Sequence, residues 1–214
     1  MSLIFKEQNH QYVSIGEEQI DWISVTSLIS KFKQGFDGPS QAAKSAKNKK
    51  SKWYGMSESD IISAWKSESD RAINLGTWYH NERERDLCSL ETIERNGIEV
   101  PVFKPIKIDN QKFAPEQQLK EGIYPEHMVY LKSAGICGQS DMVEVVNGIV
   151  GIVDYKTNKE IKTEGYKSWD GKTQKMKFPF THLDDCNYNH YALQLSLYMF
   201  MILKHNHTLK PGVM

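Results

Sequence analysis

The sequence predicts an α/β fold in which a small mixed β-sheet is flanked by helices. Three successive segments rich in β-branched residues, 126–132, 136–146 and 149–156, indicate neighbouring strands. Apolar residues recur at helical spacing in segment 72–94 before these strands and in segment 187–206 after them. A short run of strands between two such helices is typical of a sheet covered by helices.

Length and composition predict one globular domain covering 1–214. The chain has 214 residues, 39% hydrophobic and 25% charged, which is enough for a hydrophobic core. No apolar run approaches the roughly 20 residues of a membrane helix, and the first residues lack the apolar core of a signal peptide. We therefore expect a cytoplasmic protein that does not bind membranes. The cysteines, Cys88, Cys137 and Cys186, lack CxxC spacing, which argues against a zinc knuckle, an iron–sulfur cluster and a disulfide framework.

The first third of the chain is expected to contain a hairpin and a helical insertion. Residues 10–26 alternate in polarity around a Gly-Glu-Glu turn, which is typical of a β-hairpin. Ser57 and Asp60 resemble a capping box and open a helix that we expect to be separate from the one at 72–94. Segment 35–70 is thus predicted to be a helical insertion.

Local charge gives the first indication of a ligand, because the 27 basic and 27 acidic residues cancel over the whole chain. One lysine run follows the start of segment 35–70, and a second, within 156–177, is interspersed with aromatic residues that include Trp169. Lysines pair with phosphates and aromatic rings stack on unpaired bases, so both runs are candidate nucleic-acid contacts. Alternatively, each run is a solvated loop or helix face. The candidate DNA-binding lysines are Lys49, Lys50, Lys52 and Lys159.

The strongest local signal is the dipeptide Asn147-Gly148, which lies between β-branched residues and predicts a two-residue type I′ turn. Such a turn fixes the register of the two strands that it joins. Val146 then pairs with Ile149, and each later pair lies one residue further out on both strands.

This register brings two carboxylates together. Asp141 falls opposite Asp154 in a non-hydrogen-bonded position, where Cα atoms lie about 4.5 Å apart, and Lys156 projects from the same face. Like charges directly opposite destabilise a sheet unless a counter-charge such as Mg²⁺ or Mn²⁺ neutralises them. We therefore predict a metal site at which Lys156 orients or deprotonates a metal-activated water. Alternatively, the aspartates are surface residues near the open end of an ordinary hairpin, and Lys156 forms a salt bridge with one of them.

Four motifs resemble those of the PD-(D/E)xK nuclease superfamily, in the form found in its RecB-type members. Gly-Gln-Ser-Asp at 138–141 and Asp-Tyr-Lys at 154–156 resemble the GxxD and DxK parts of the signature. Leu-Gly-Thr-Trp-Tyr-His at 75–80 resembles the helix that supplies a histidine ligand, and Gln-x-x-x-Tyr at 194–198 resembles the QxxxY helix. Ser-Val-Thr-Ser at 24–27 is similar to the opening of phage and mitochondrial genome-maintenance exonucleases. The motifs stand in the family's order over nearly the whole chain.

The resemblance implies a role for each matched residue of the metal site. His80, Asp141 and Asp154 would bind Mg²⁺ or Mn²⁺, with the main-chain carbonyl of Tyr155 as an additional ligand. Lys156 would orient or deprotonate the attacking water. The chain has serine where the superfamily's namesake proline stands, and it lacks the cysteines of the iron–sulfur branch.

Three further residues have implied roles outside this set. Glu84 lies one helical turn after His80 and would orient a metal-bound water or a second metal. Gln194 and Tyr198 share one helix face and would touch DNA or buttress the site. Alternatively, His80 is an ordinary helix histidine and Tyr198 a core residue. Glu126, at the start of the first predicted strand, is a minor candidate.

The resemblance also implies a restriction-endonuclease-like core and a reaction. That reaction is hydrolysis of DNA phosphodiester bonds by an exonuclease of phage or bacterial recombination, replication or repair. Segment 35–70 would arch over the site and admit single strands or ends. The alternatives are a structure- or sequence-specific endonuclease on the same core and a non-catalytic DNA-binding subunit. The family core usually has another strand after the QxxxY helix, and residues 208–214 barely begin one, so we expect a truncated chain or a very short last strand.

Overall fold

The computed structural model describes residues 3–16, 18–168 and 171–212 and has a mixed α/β fold with several sheets. The helices are α1 (Val25–Ser30), α2 (Gly38–Lys47), α3 (Glu58–Cys88) and α4 (Asn187–His205). The strands are β1 (Leu3–Lys6), β2 (Gln11–Ser14), β3 (Ile23–Ser24), β4 (Thr92–Arg95), β5 (Ile98–Pro101), β6 (Ile106–Ile108), β7 (Gln111–Phe113), β8 (Gly122–Leu131), β9 (Ile136–Val146), β10 (Ile149–Val153) and β11 (Lys210–Pro211).

Strand β9 is the centre of the main sheet, because it has neighbours on both edges. β8 runs antiparallel along one edge. On the opposite edge, β10 pairs antiparallel with the end of β9, and β3 pairs parallel with its first residues, Ile136 and Cys137. β11 adds a parallel strand outside β10. The sheet is therefore mixed, and among the strands that the structure describes none covers residues 138–141 of β9 on the β3–β10 side.

The predicted turn and register at the centre of the chain are confirmed. β10 pairs with β9 from Ile149–Val146 as far as Val153–Met142. Asn147 has a φ of 54°, as a type I′ turn requires. The ladder ends one pair short of the two aspartates, so the third strand is shorter than the predicted segment 149–156.

Two predictions for the N-terminal half are wrong. Segment 10–26 is not a hairpin, because β2 pairs with β1 while β3 joins β9 in the main sheet. The two helices expected at Ser57 and at 72–94 form the single helix α3, which ends at Cys88. Beyond it, β4 and β5 form a hairpin around Asn96, whose φ of 53° marks another tight turn.

The main core lies between the sheet and helices α1 and α4. It includes Val25 of α1, Val129 and Val143 of the sheet, and Met201 and Ile202 of α4, each no more than 2% exposed. Helix α4 confirms the apolar helix predicted at 187–206. Helix α2 and the first part of α3 form segment 35–70 and contact each other. None of the helices within the described ranges has the length and apolarity needed to cross a membrane.

Candidate functional site

A histidine and two carboxylates from three different elements meet beside β9. His80 of α3, Glu126 of β8 and Asp141 of β9 each offer one ligand atom, and these atoms lie within 4.8 Å of one another. His80 Nδ1 is 3.0 Å from Asp141 Oδ1, and this hydrogen bond raises the pKa of His80. One imidazole nitrogen and two carboxylate oxygens at this spacing are a ligand set suited to a divalent cation.

Glu126 is the member of this cluster to which sequence reasoning gave only a minor place. It lies in the middle of β8, between the pairs Pro125–Met142 and His127–Ser140, and so faces Asp141 across the ladder. Its φ of 50° is in the left-handed region, which costs a non-glycine residue about 1–2 kcal/mol. Strain of this kind is concentrated at functional sites. No sequence pattern marks a left-handed glutamate within a strand.

Asp154 forms a second group with Lys156 and Gln194. Lys156 Nζ forms an ion pair with Asp154 Oδ2, and Gln194 Nε2 donates to Asp154 Oδ1 at 3.1 Å. The Asp154 side chain is only 6% exposed. Burial raises the pKa of Asp154, and Lys156 opposes that shift. The salt bridge between Lys156 and an aspartate, which the surface-residue alternative predicts, is therefore present. However, the Asp154 carboxylate that forms it is buried and not on the surface.

The two groups are joined by the main chain and not by shared ligand atoms. The Tyr155 N–H, directly after Asp154, donates to Asp141 Oδ2 at 2.5 Å. His80, Glu126 and Asp141 line a cleft of about 770 Å³, which we call the carboxylate cleft. Asp154 and Lys156 line a different cleft of about 530 Å³. The structure thus brings His80 to Asp141 but leaves Asp154 outside their cluster.

Gln194 and Tyr198 lie behind the site. They are 8% and 2% exposed, and Gln194 Nε2 donates to the Tyr198 hydroxyl at 3.4 Å. The Tyr198 ring packs so closely on Gly138 that a Cβ atom there would lie 2.5 Å from the ring. Burial of both side chains favours the buttressing role over direct DNA contact.

Glu84 lines the carboxylate cleft but bonds to a lysine that sequence reasoning missed. Lys112 of β7 is 4% exposed, and its Nζ donates to Glu126 Oε2 at 2.9 Å and to Glu84 Oε2 at 3.4 Å. Glu7 Oε1 lies 3.8 Å from the same ammonium. Lys112 thus links three carboxylates, and these interactions raise its pKa against the opposing effect of burial.

The remaining candidates lie further out. Lys52 pairs with Glu68 at 3.2 Å and lies over the Trp53 ring at 4.3 Å. The ring of Tyr155 contacts Tyr79 and His80 edge-on. Lys49, Lys50, Lys52 and Lys159 are exposed, and none of them is among the residues lining either cleft. Trp169 lies outside the described residues.

No protein-family model, curated protein or solved structure matches the chain. What the site can do therefore follows from its own residues. It combines a nitrogen-and-oxygen ligand set, a lysine held by a buried aspartate and an open cleft. Metal-assisted hydrolysis uses groups of these kinds.

Proposed function

We propose that the chain is a metal-dependent DNA nuclease of the PD-(D/E)xK type with a restriction-endonuclease-like core. Its main support is that three separate motifs converge on Asp141 and Asp154. Asp141 bonds to His80 and to the main chain of the DxK segment, while Asp154 bonds to Lys156 and to Gln194 of the QxxxY helix. Three of these contacts join different motifs, and such convergence is not expected of ordinary surface residues.

In this proposal His80, Glu126 and Asp141 hold Mg²⁺ or Mn²⁺, and Lys112 keeps Glu126 oriented. When bound, such an ion polarises the scissile phosphate and lowers the pKa of a water molecule. Asp154 would complete the ligand set, and Lys156, which pairs with Asp154, would orient the attacking water. Gln194 and Tyr198 fix Asp154 from behind.

The direct test is digestion of an end-labelled single-stranded oligonucleotide with and without Mg²⁺. We expect Mg²⁺-dependent cleavage that falls at least 100-fold in Asp154→Asn and in Lys156→Gln, because removing a catalytic group costs about 10²–10⁴-fold. Asp109→Asn, at the exposed turn between β6 and β7, and Lys204→Gln, at the exposed end of α4, are matched controls that should retain wild-type rates. Equal cleavage by all four variants would refute the assignment.

We favour exonuclease action on single strands or ends, in phage or bacterial recombination, replication or repair. The segment at 35–70 presents an aromatic cluster in which Trp65 contacts Phe36 and Trp53, and Phe36 is 74% exposed. Together with its lysines, this surface suits an unpaired strand.

Linear DNA should be digested and closed circular DNA should resist digestion. Equal digestion of the circle would instead identify an endonuclease, and binding without cleavage would identify a non-catalytic subunit.

A further inference from the structure

The cleft beside Asp154 and Lys156 has a rigid wall. The loop before it is fastened to the start of α4 by three hydrogen bonds. Lys162 N–H donates to Asn187 Oδ1 at 2.7 Å, Asn187 Nδ2 donates to the Glu160 carbonyl at 3.3 Å, and Tyr188 N–H donates to the Lys162 carbonyl at 3.1 Å. These bonds hold the loop that carries Ile161 against the start of α4, which carries Tyr188.

The opposite sides of this cleft are aromatic and aliphatic. Tyr188 and Ile161 line the cleft and are 53% and 51% exposed, so they present apolar surface to solvent. Tyr191 is fixed, because its hydroxyl donates to Asn158 Oδ1 at 2.8 Å and Lys156 Nζ lies 4.9 Å from its ring centre. We call this the aromatic cleft. Its volume of about 530 Å³ is within the range of ligand pockets, about 300–1,000 Å³.

The position and charge of the aromatic cleft point to one kind of ligand. Asp154 and Lys156 line it, and the Tyr155 N–H directly after Asp154 bonds to Asp141 of the proposed metal site, so a group bound in the cleft would lie beside that site. The exposed Lys159 and Lys162 flank the loop wall, with Glu160 between them. An apolar slot that contains tyrosine rings and the Lys156 ammonium is complementary to a base attached to a phosphodiester backbone.

We propose that the aromatic cleft binds the base of an unpaired nucleotide next to the scissile bond, with Tyr188 as the stacking surface. The inference rests on the proposed nuclease function and deepens it, because it assigns a binding site to one base of the unpaired strand. A base in a duplex is stacked on its neighbours and paired, so it cannot enter the slot unless the pair is first broken. The same surface would thus select single strands over blunt duplexes.

Binding measured without cleavage tests this site. Fluorescence anisotropy in EDTA would compare a labelled single-stranded 12-mer, its blunt duplex, and 12-mers carrying an abasic nucleotide at the 5′ or the 3′ end. The variants are Tyr188→Ala, Tyr188→Phe and, as a control on the same helix, Phe200→Ala, whose ring is 49% exposed outside the cleft. Thermal melting of each variant monitors folding.

We expect Tyr188→Ala to weaken single-strand binding about 5- to 100-fold, the effect of losing one stacked base. Tyr188→Phe and Phe200→Ala should bind like the wild type. The wild type should bind one of the two abasic strands more weakly by a similar factor. Tyr188→Ala should bind that abasic strand no more weakly than the wild type does. The proposal would be overturned by any of three results. These are wild-type affinity in Tyr188→Ala, equal affinity for intact and abasic strands, and no binding of single strands by the wild type. The result is separable from the nuclease proposal, since base-dependent binding without Mg²⁺-dependent cleavage leaves the aromatic cleft standing and removes only the hydrolytic function.

Discussion

Gly138 and Tyr198, two motif residues that lie 60 positions apart, pack closely against each other. Gly138 opens the GxxD segment on β9, and Tyr198 closes the QxxxY segment on α4. The Tyr198 ring occupies the space that a Cβ atom of residue 138 would need. Because Gln194 is held one turn earlier on the same helix, this packing also sets the position of its bond to Asp154.

A methyl group at Gly138 should therefore disturb the fold and the site together. We expect Gly138→Ala to lower the free energy of unfolding by about 1–3 kcal/mol, since overpacking a core costs that much. Gly35→Ala is the control, because a Cβ atom there meets no other atom within 4 Å. Urea denaturation of both variants measures the difference, and equal stabilities would show that Tyr198 yields without cost.

At the scale of elements, the β9–β10 hairpin fixes the two aspartates. Its turn is clamped from outside by Glu121, whose side chain accepts hydrogen bonds from Asn147 N–H at 2.8 Å and from Gly148 N–H at 2.7 Å. These donors would otherwise bond only to water. The clamp supports the register from which Asp141 and Asp154 take their places.

Removing the clamp should loosen the hairpin without touching the site. We expect Glu121→Ala to reduce the free energy of unfolding by about 1 kcal/mol, the net value of an exposed charge-assisted contact. Hydrogen exchange should also become faster at Val146 and Ile149. Glu116→Ala removes another exposed glutamate from the same stretch of chain and should change neither quantity. Identical behaviour of the two variants would contradict the clamp.

The elements that could be predicted are those with a complete local signal. Asn147-Gly148 between β-branched residues gave both the turn and the register, and apolar spacing gave α4. The same dipeptide at Asn96-Gly97 also forms a turn, but the helix predicted at 72–94 overlaps β4, the strand that precedes this turn. Strand β3 was assigned to the wrong partner, because pairing with β9 joins residues more than 100 positions apart.

At the scale of the whole molecule, the site depends on contacts between sheets that no local pattern encodes. His80, Asp141, Asp154 and Lys156 were predictable as members of ordered motifs. Glu126 was only a minor candidate and Lys112 was not a candidate, because β8 and β7 belong to different sheets and meet only in the folded chain. The separation of Asp154 from the His80 cluster likewise depends on Lys156 and on the position of α4.

The most direct measurement of the central claim is calorimetric titration of the full chain with Mn²⁺. The wild type should bind the ion through His80, Glu126 and Asp141, and Asp141→Asn should bind at least tenfold more weakly, because it replaces an anionic ligand with a neutral amide. Asp109→Asn, exposed and outside the carboxylate cleft, should bind like the wild type. Absence of Mn²⁺ binding by the wild type, or equal affinity in Asp141→Asn, would contradict a metal-dependent centre at this cluster.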